Sequence, residues 1–403
     1  MILSGRMSAP HATHPSYWPL RFVSVEAASG VALLIASGIA LAWANCPLAS
    51  SYEALWHLKL NLAVAPYLAS RDLQFWVNDG LMTIFFLVVG LEIRGEIHDG
   101  ALSDPRVATL PIIAALGGVI VPALFYVVLN SGPQASRGWA IPTATDIAFA
   151  VGVLALIGKG IPNTLRVLLL TLAIIDDIAA ILVIAFFYSN GIAVAGLGII
   201  ALGVLLVLAM QRLKVRVAVA YVLPGAIVWF GMLRAGLHPT LAGVLLGILT
   251  PAAQAPGGGE SALSRVEARL HPWVAFGIMP LFALANAGVG LSGLNLTGGV
   301  PLTVATGIVG GLVLGKPLGI VLACNAAVRL KLCALPPGML WPHTVLLGFL
   351  GGIGFTMSIF ISNLAFEDAT LLAAAKFAVL VASGLAASIA LLLGHLHRRS
   401  VVT

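Results

Sequence analysis

The stretch LAIIDDIAAILVIAFF, residues 172–187, places two adjacent carboxylates, Asp176 and Asp177, inside an otherwise apolar run. The run extends over 164–189, and roughly 20 such residues suffice for a helix to cross a hydrocarbon layer. A charge at that depth costs from about 3 to more than about 10 kcal/mol, depending on how the cost is measured. Acids kept there need a task or a partner. Consecutive helical residues point about 100° apart, so one acid can face a cavity while the other meets a neighbouring helix.

Outward from this stretch the chain repeats the pattern. Of its 403 residues 60% are hydrophobic and only 9% charged, where a soluble domain carries about 25% charged residues. Apolar runs long enough to span lie near 22–44, 74–92, 107–130, 138–158, 164–189, 192–211, 215–233, 236–250, 272–290, 301–325, 343–364 and 370–394. These predict an all-α polytopic membrane protein of about twelve transmembrane helices, a single domain over 1–403. The N-terminus shows no cleavable signal pattern.

The net charge of +6 does not indicate a nucleic-acid partner. With both termini inside, fifteen of the 21 Lys and Arg fall on the inner side. Four fall outside: Lys59, Arg71, Arg137 and Arg234. That asymmetry is the positive-inside pattern. Cys46, Cys324 and Cys333 have neither metal-ligand nor disulfide-framework spacing. The long outer connection 45–73 contains LKLNLAV (58–64), whose alternation suits a strand. A small hairpin with an edge open to a second subunit and an irregular amphipathic loop both fit it. Residues 251–264 read as a flexible inner loop, which with its flank gives an inner segment over 251–270.

Two runs are interrupted. GWAIPTATDIAFA (138–150) carries Pro142, then Thr145 and Asp146; GFLGGIGFTMSIF (348–360) carries four glycines, then Thr356 and Ser358. Broken segments at corresponding places in two halves point to a transporter's midplane site. Close helix packing is the alternative use of such glycines.

Asp146, Asp176, Asp177 and Lys316 therefore form the candidate site, with Lys316 the natural cation for one aspartate. A carboxylate in a low-dielectric site can hold a proton or a hard cation such as Na⁺ or Li⁺, hardly both. Oxygen donors suit such cations. Competition at shared acids, opened alternately to either side, exchanges cation for proton. Glu92 and Glu96 share one helix face at an inner mouth, and His238 and His271 can titrate near neutral pH. Lys376, near a span end, can snorkel. An intramembrane aspartyl protease would set its two acids on facing helices, and no GxGD motif occurs. Proton-coupled symport of an organic solute would need a roomier pocket, and a structural scaffold would tolerate Asp177→Asn.

AIPTATDIAFAVGVLALIG (140–158), LAIIDDIAAILVIAFFY (172–188), LHPWVAFGIMPLFALANAG (270–288), GLVLGKPLGI (311–320) and GGIGFTMSIFISNLAF (351–366), in that order, resemble the NhaA family of bacterial Na⁺/H⁺ antiporters. The resemblance implies inverted-topology repeats with two broken crossing helices, a small extracytoplasmic β-hairpin and a homodimer formed through it. It implies an inner-membrane, pH-regulated, electrogenic exchanger of one Na⁺ or Li⁺ for two H⁺, with no cofactor and no catalytic residues. Asp177 and Asp176 match the cation- and proton-binding pair, Lys316 the lysine that pairs with the first of those aspartates, and Asp146 and Thr145 the residues of the helix crossing. Glu92, Glu96, Glu267, His271 and His238 match positions linked to pH response. Ala268 stands where the family pattern has a histidine.

Overall fold

The structure is a computed structural model that describes residues 18–60, 70–158, 160–189, 191, 193–215, 217–252, 261–292, 294 and 298–402. Among these the chain is helical almost throughout. In order come α1 (Trp18–Ala44), α2 (Leu73–His98) and α3 (Pro105–Leu129). A tight 3-10 segment, Ala135–Thr143, leads into α4 (Ile147–Ile157), followed by α5 (Asn163–Phe187), α6 (Val194–Arg212) and α7 (Ala218–Ala235). Then come α8 (Leu241–Leu249), α9 (Ala262–Asn286) and α10 (Gly299–Arg329). The chain closes with α11 (Trp341–Gly351), α12 (Phe355–Ala365) and α13 (Ala369–Val402).

Among the described residues eight helices are long and apolar enough to cross a membrane, or up to eleven if each of three bent pairs is one span. The predicted run 236–250 does not add a further one by this measure. Gly236 takes a left-handed conformation (φ 80°) that ends α7, and α8 is only nine residues long. It packs close against α2: a Cβ on Gly247 would lie 2.6 Å from the Gly90 carbonyl carbon. Large apolar side chains such as Phe186 (78% exposed) and Leu205 (63%) sit on the outer faces of α5 and α6. A lipid solvent accounts for faces that water would not tolerate.

The only strands among the described residues are Lys59–Leu60 and Arg71–Asp72, which pair antiparallel with Lys59 opposite Asp72. This ladder falls within the segment 45–73, and residues 61–69 lie outside the described residues. Part of the inner segment 251–270, residues 253–260, lies outside them as well. From Ala262 onward that segment is helix rather than loop. Ser261 caps α9 by accepting from the Ser264 amide at 3.1 Å, and this starts the helix ten residues before the apolar run at 272.

The two interrupted runs are bent pairs. The 3-10 segment and α4 meet at 43°, and α11 and α12 at 45°. They pack crosswise: α12 lies on the 3-10 segment and α11 on α4. The middle of α5 lies beside this crossing.

Candidate functional site

Two chain breaks at the centre of an apolar bundle leave backbone groups that water cannot reach, and each must find a partner. Asp146 supplies most of them. Its Oδ1 accepts from the Phe149 amide at 3.0 Å and so caps α4. Its Oδ2 accepts from the Thr356 amide at 3.0 Å and from the Thr356 hydroxyl, capping the start of α12. Its own amide donates to the Ile353 carbonyl at 2.7 Å. One carboxylate thus faces the N-terminal ends of two half-helices, where the partial charge is positive.

The opposite ends receive donors. Lys316 Nζ donates to the Thr143 carbonyl at the end of the 3-10 segment, and the Ser358 hydroxyl donates to the Ile141 carbonyl at 2.7 Å. Thr145 Oγ1 lies 2.8 Å from the Gly351 carbonyl and 2.7 Å from Asp176 Oδ2. It has a single proton to place between them.

Lys316 also reaches Asp176, with Nζ 2.7 Å from Oδ2 and both side chains fully buried. It follows directly on a π-helical turn, Gly311–Gly315, in α10; such turns recur at functional sites. Gly311 brings this turn against the 3-10 segment, since a Cβ there would lie 2.7 Å from Pro142 Cβ.

Asp177 points elsewhere. Together with Thr145, Asp146, Glu92, His271 and Met357 it lines a cavity of about 60 Å³ between α2, α9, α12 and the first break. By the measure of about 10–15 Å³ per water, that space holds a few waters or a small ion. Asp177 is 2% exposed, and its Oδ1 has no hydrogen-bond partner among the described residues. The Oδ1 of Asp176 is in the same condition. The two adjacent acids thus have different surroundings: Asp176 is bound to a lysine and a threonine, while Asp177 opens on the cavity.

The other expected residues divide. Glu92 and His271 line the cavity near Asp177, and Glu267 is within electrostatic reach of His271 and Glu96. Glu96 accepts from the Ala101 amide at 2.8 Å, which ties it to the end of α2. His238 is not in this group. Its Nε2 lies 2.8 Å from the Tyr188 carbonyl, at the C-terminal end of α5, eleven residues and roughly 16 Å of helix beyond Asp177. Lys376 is buried in protein, at 8% exposure, rather than extended along the surface.

Thr356 and Ser358 have no role that the sequence alone assigns; a hydroxyl just after a glycine-rich break is the available signal. Met357, which lines the cavity between them, carried no such signal.

The sequence pattern described as Na⁺/H⁺ antiporter 1 matches residues 20–393 of this chain. The chain is 55% identical to the Na⁺/H⁺ antiporter NhaA of Acidovorax sp. (strain JS42), over 100% of this chain and 99% of that one. It is 52% identical to Na⁺/H⁺ antiporter NhaA 2 of Pseudomonas putida (strain KT2440), over 95% and 94%. It is 51% identical to Na⁺/H⁺ antiporter NhaA 2 of Sorangium cellulosum (strain So ce56), over 93% and 89%.

Proposed function

The chain belongs to the Na⁺/H⁺ antiporter 1 family, and we propose that it expels one Na⁺ or Li⁺ across a bacterial inner membrane in exchange for two H⁺. The observation that carries this reading is the contrast between the two acids: Asp177 lines the cavity and its Oδ1 has no partner among the described residues, while Asp176 beside it, though its Oδ1 is likewise unpartnered there, is held through Oδ2 by Lys316 and Thr145.

A cation entering the cavity meets Asp177 first. A hard cation there takes carboxylate oxygens in place of water, and it draws Asp176 as a second ligand away from Lys316. In the alternate state, protons arriving from the other side occupy the same carboxylates and displace the cation. With Asp146, Asp176 and Asp177 counted as carboxylates and Lys316 as an ammonium, the cluster carries a net charge of −2. Two protons neutralise it, whereas one Na⁺ leaves −1. The two loaded states differ by one charge, so the exchange of one for two is electrogenic. Asp146 is not one of the exchanging acids, because both of its oxygens are taken up by the two helix ends. A cavity of about 60 Å³ suits a small ion better than an organic solute.

Glu92 and His271, which line the cavity, together with Glu267 and Glu96, which interact electrostatically with one another and with His271 through Glu267, set its response to pH. His238 acts on the site through α5, by way of the Tyr188 carbonyl. The hairpin faces the extracytoplasmic side and pairs two copies into a homodimer; twelve crossings related by inverted repeats, with the nine-residue α8 counted as a short one, leave both termini in the cytoplasm. The reading is tested by proton flux in everted vesicles on adding Na⁺ or Li⁺ at several pH values. Wild type releases the imposed gradient and Asp177→Asn does not; equal flux in the two would remove Asp177 from the site.

A further inference from the structure

A second cavity, of about 470 Å³, opens beside the hairpin and has no part in the chemistry above. Lys59, Arg71, Asn78, Asp79 and Asn363 are among its lining residues. Beneath it lies a cluster of side-chain amides. Asn286, 1% exposed, donates from Nδ2 to Asn78 Oδ1 at 2.7 Å. Its Oδ1 accepts from Asn363 Nδ2 at 2.9 Å, with Gln74 Nε2 and Asn78 Nδ2 more distant at 3.4 and 3.3 Å.

The three asparagines come from three elements, α2, α9 and α12, and the same three elements line the cavity at Asp177. Each repeats one order from the hairpin inward. On α2 it runs Asn78, Phe86, Val89; on α9, Asn286, Phe282, Met279; on α12, Asn363, Phe360, Met357. The last residue of each set lines the inner cavity. The phenylalanines are buried and touch, with Phe360 centred 5.3 Å from Phe86 and 6.1 Å from Phe282. An amide layer and an aromatic layer thus separate the two cavities.

We propose that Asn78, Asn286 and Asn363 are the latch of the gate on the hairpin side, which holds shut the route from the outer cavity to Asp177. This rests on the exchange reading, which requires the site to open alternately to each face. Amides suit a joint that must part repeatedly. Closed, they satisfy one another; parted, they face a polar cavity, so no group is left without a partner. Their freed carbonyl oxygens are also donors that a hard cation accepts. Asn363 lies on α12, the half-helix whose start is bound to Asp146, so a shift at the break reaches the latch through one rigid element. Asn78 and Asp79 lie in a π-helical turn, Trp76–Leu81, and the Asp79 carbonyl accepts from Trp229 Nε1 at 2.9 Å.

The test is the reactivity of a cysteine below both layers, Met357→Cys in the full chain with Cys46, Cys324 and Cys333 replaced by alanine. A membrane-impermeant thiol reagent is applied to vesicles from the hairpin face and, separately, from the opposite face. Asn363→Ala and Asn286→Ala should each raise the rate from the hairpin face by about fivefold, the shift expected on losing one or two amide hydrogen bonds, and leave the other face unchanged. Asn78→Asp, which keeps the acceptor toward Asn286 Nδ2 and faces the polar outer cavity, should stay nearer the parent. Hairpin-face rates that equal the parent's in both alanine variants would overturn the latch. Na⁺-driven proton flux of the wild-type chain is measured alongside; its absence would overturn the exchange reading, and the labelling rates would still report on the gate.

Discussion

The break at 143–147 and the break at 351–355 bend their chains by nearly the same angle and lie against each other, yet they use different materials. The first carries a carboxylate, Asp146, which caps its own half-helix and that of the other break. The second carries glycines and contributes backbone. These glycines are not needed for their dihedral freedom, since none of residues 348–354 has a positive φ among the described glycines. They are needed for approach: a Cβ on Gly352 would lie 2.5 Å from the Leu312 carbonyl oxygen. The difference teaches that one buried acid can serve two helix ends, provided the second chain comes close enough to be served.

The largest expected effect tests that sharing. Asp146→Ala withdraws the acceptor from both half-helices, and two lost charged caps amount to about 2–4 kcal/mol. Thermal unfolding in detergent should fall accordingly, and Na⁺-driven proton flux should reach background. A variant as stable as the parent would mean that the two breaks are independent.

The next effect tests the approach. Gly352→Ala drives a methyl group into backbone and should cost about 1–3 kcal/mol. Gly351→Ala is the control, because its nearest neighbour is the Ile320 Cδ1 atom at 3.0 Å, the end of a side chain that can turn aside. If the two substitutions cost the same in denaturation midpoints, close backbone approach is not what the second break requires.

A smaller effect joins the two breaks directly. Thr356→Ala removes the hydroxyl that donates to Asp146 and should cost about 1 kcal/mol, with Thr356→Ser restoring most of it. Combined with Asp146→Asn, the losses should be less than additive by about 0.5 kcal/mol or more, as for groups in one network. Additive losses would separate them.

How much of this could be read beforehand depends on how local each feature is. The paired acids, Lys316 and the two interruptions stand out in the sequence because charge and glycine are rare against an apolar background. The pairing of Lys316 with Asp176 rather than Asp177 depends on the rotation of α5, which an apolar run does not reveal. The double cap at Asp146 joins residues 210 positions apart, and no local pattern records it. The continuous apolarity of 236–250 does not reveal that the run begins at a left-handed Gly236 and forms only a nine-residue helix packed on α2, which are tertiary facts. The place of Lys376 near the end of an apolar run suits snorkelling, but the packing around α13 encloses it.

The central claim is that Na⁺ and protons compete for Asp176 and Asp177, and titration calorimetry of the purified protein with NaCl tests it most directly. Repeated in buffers of different ionisation enthalpy, the measured heat reports how many protons leave as Na⁺ binds. The account predicts a release that approaches two per Na⁺ at mildly acid pH, declines as the pH rises and is abolished with Na⁺ binding in Asp177→Asn. Binding heats identical in every buffer at every pH would contradict it.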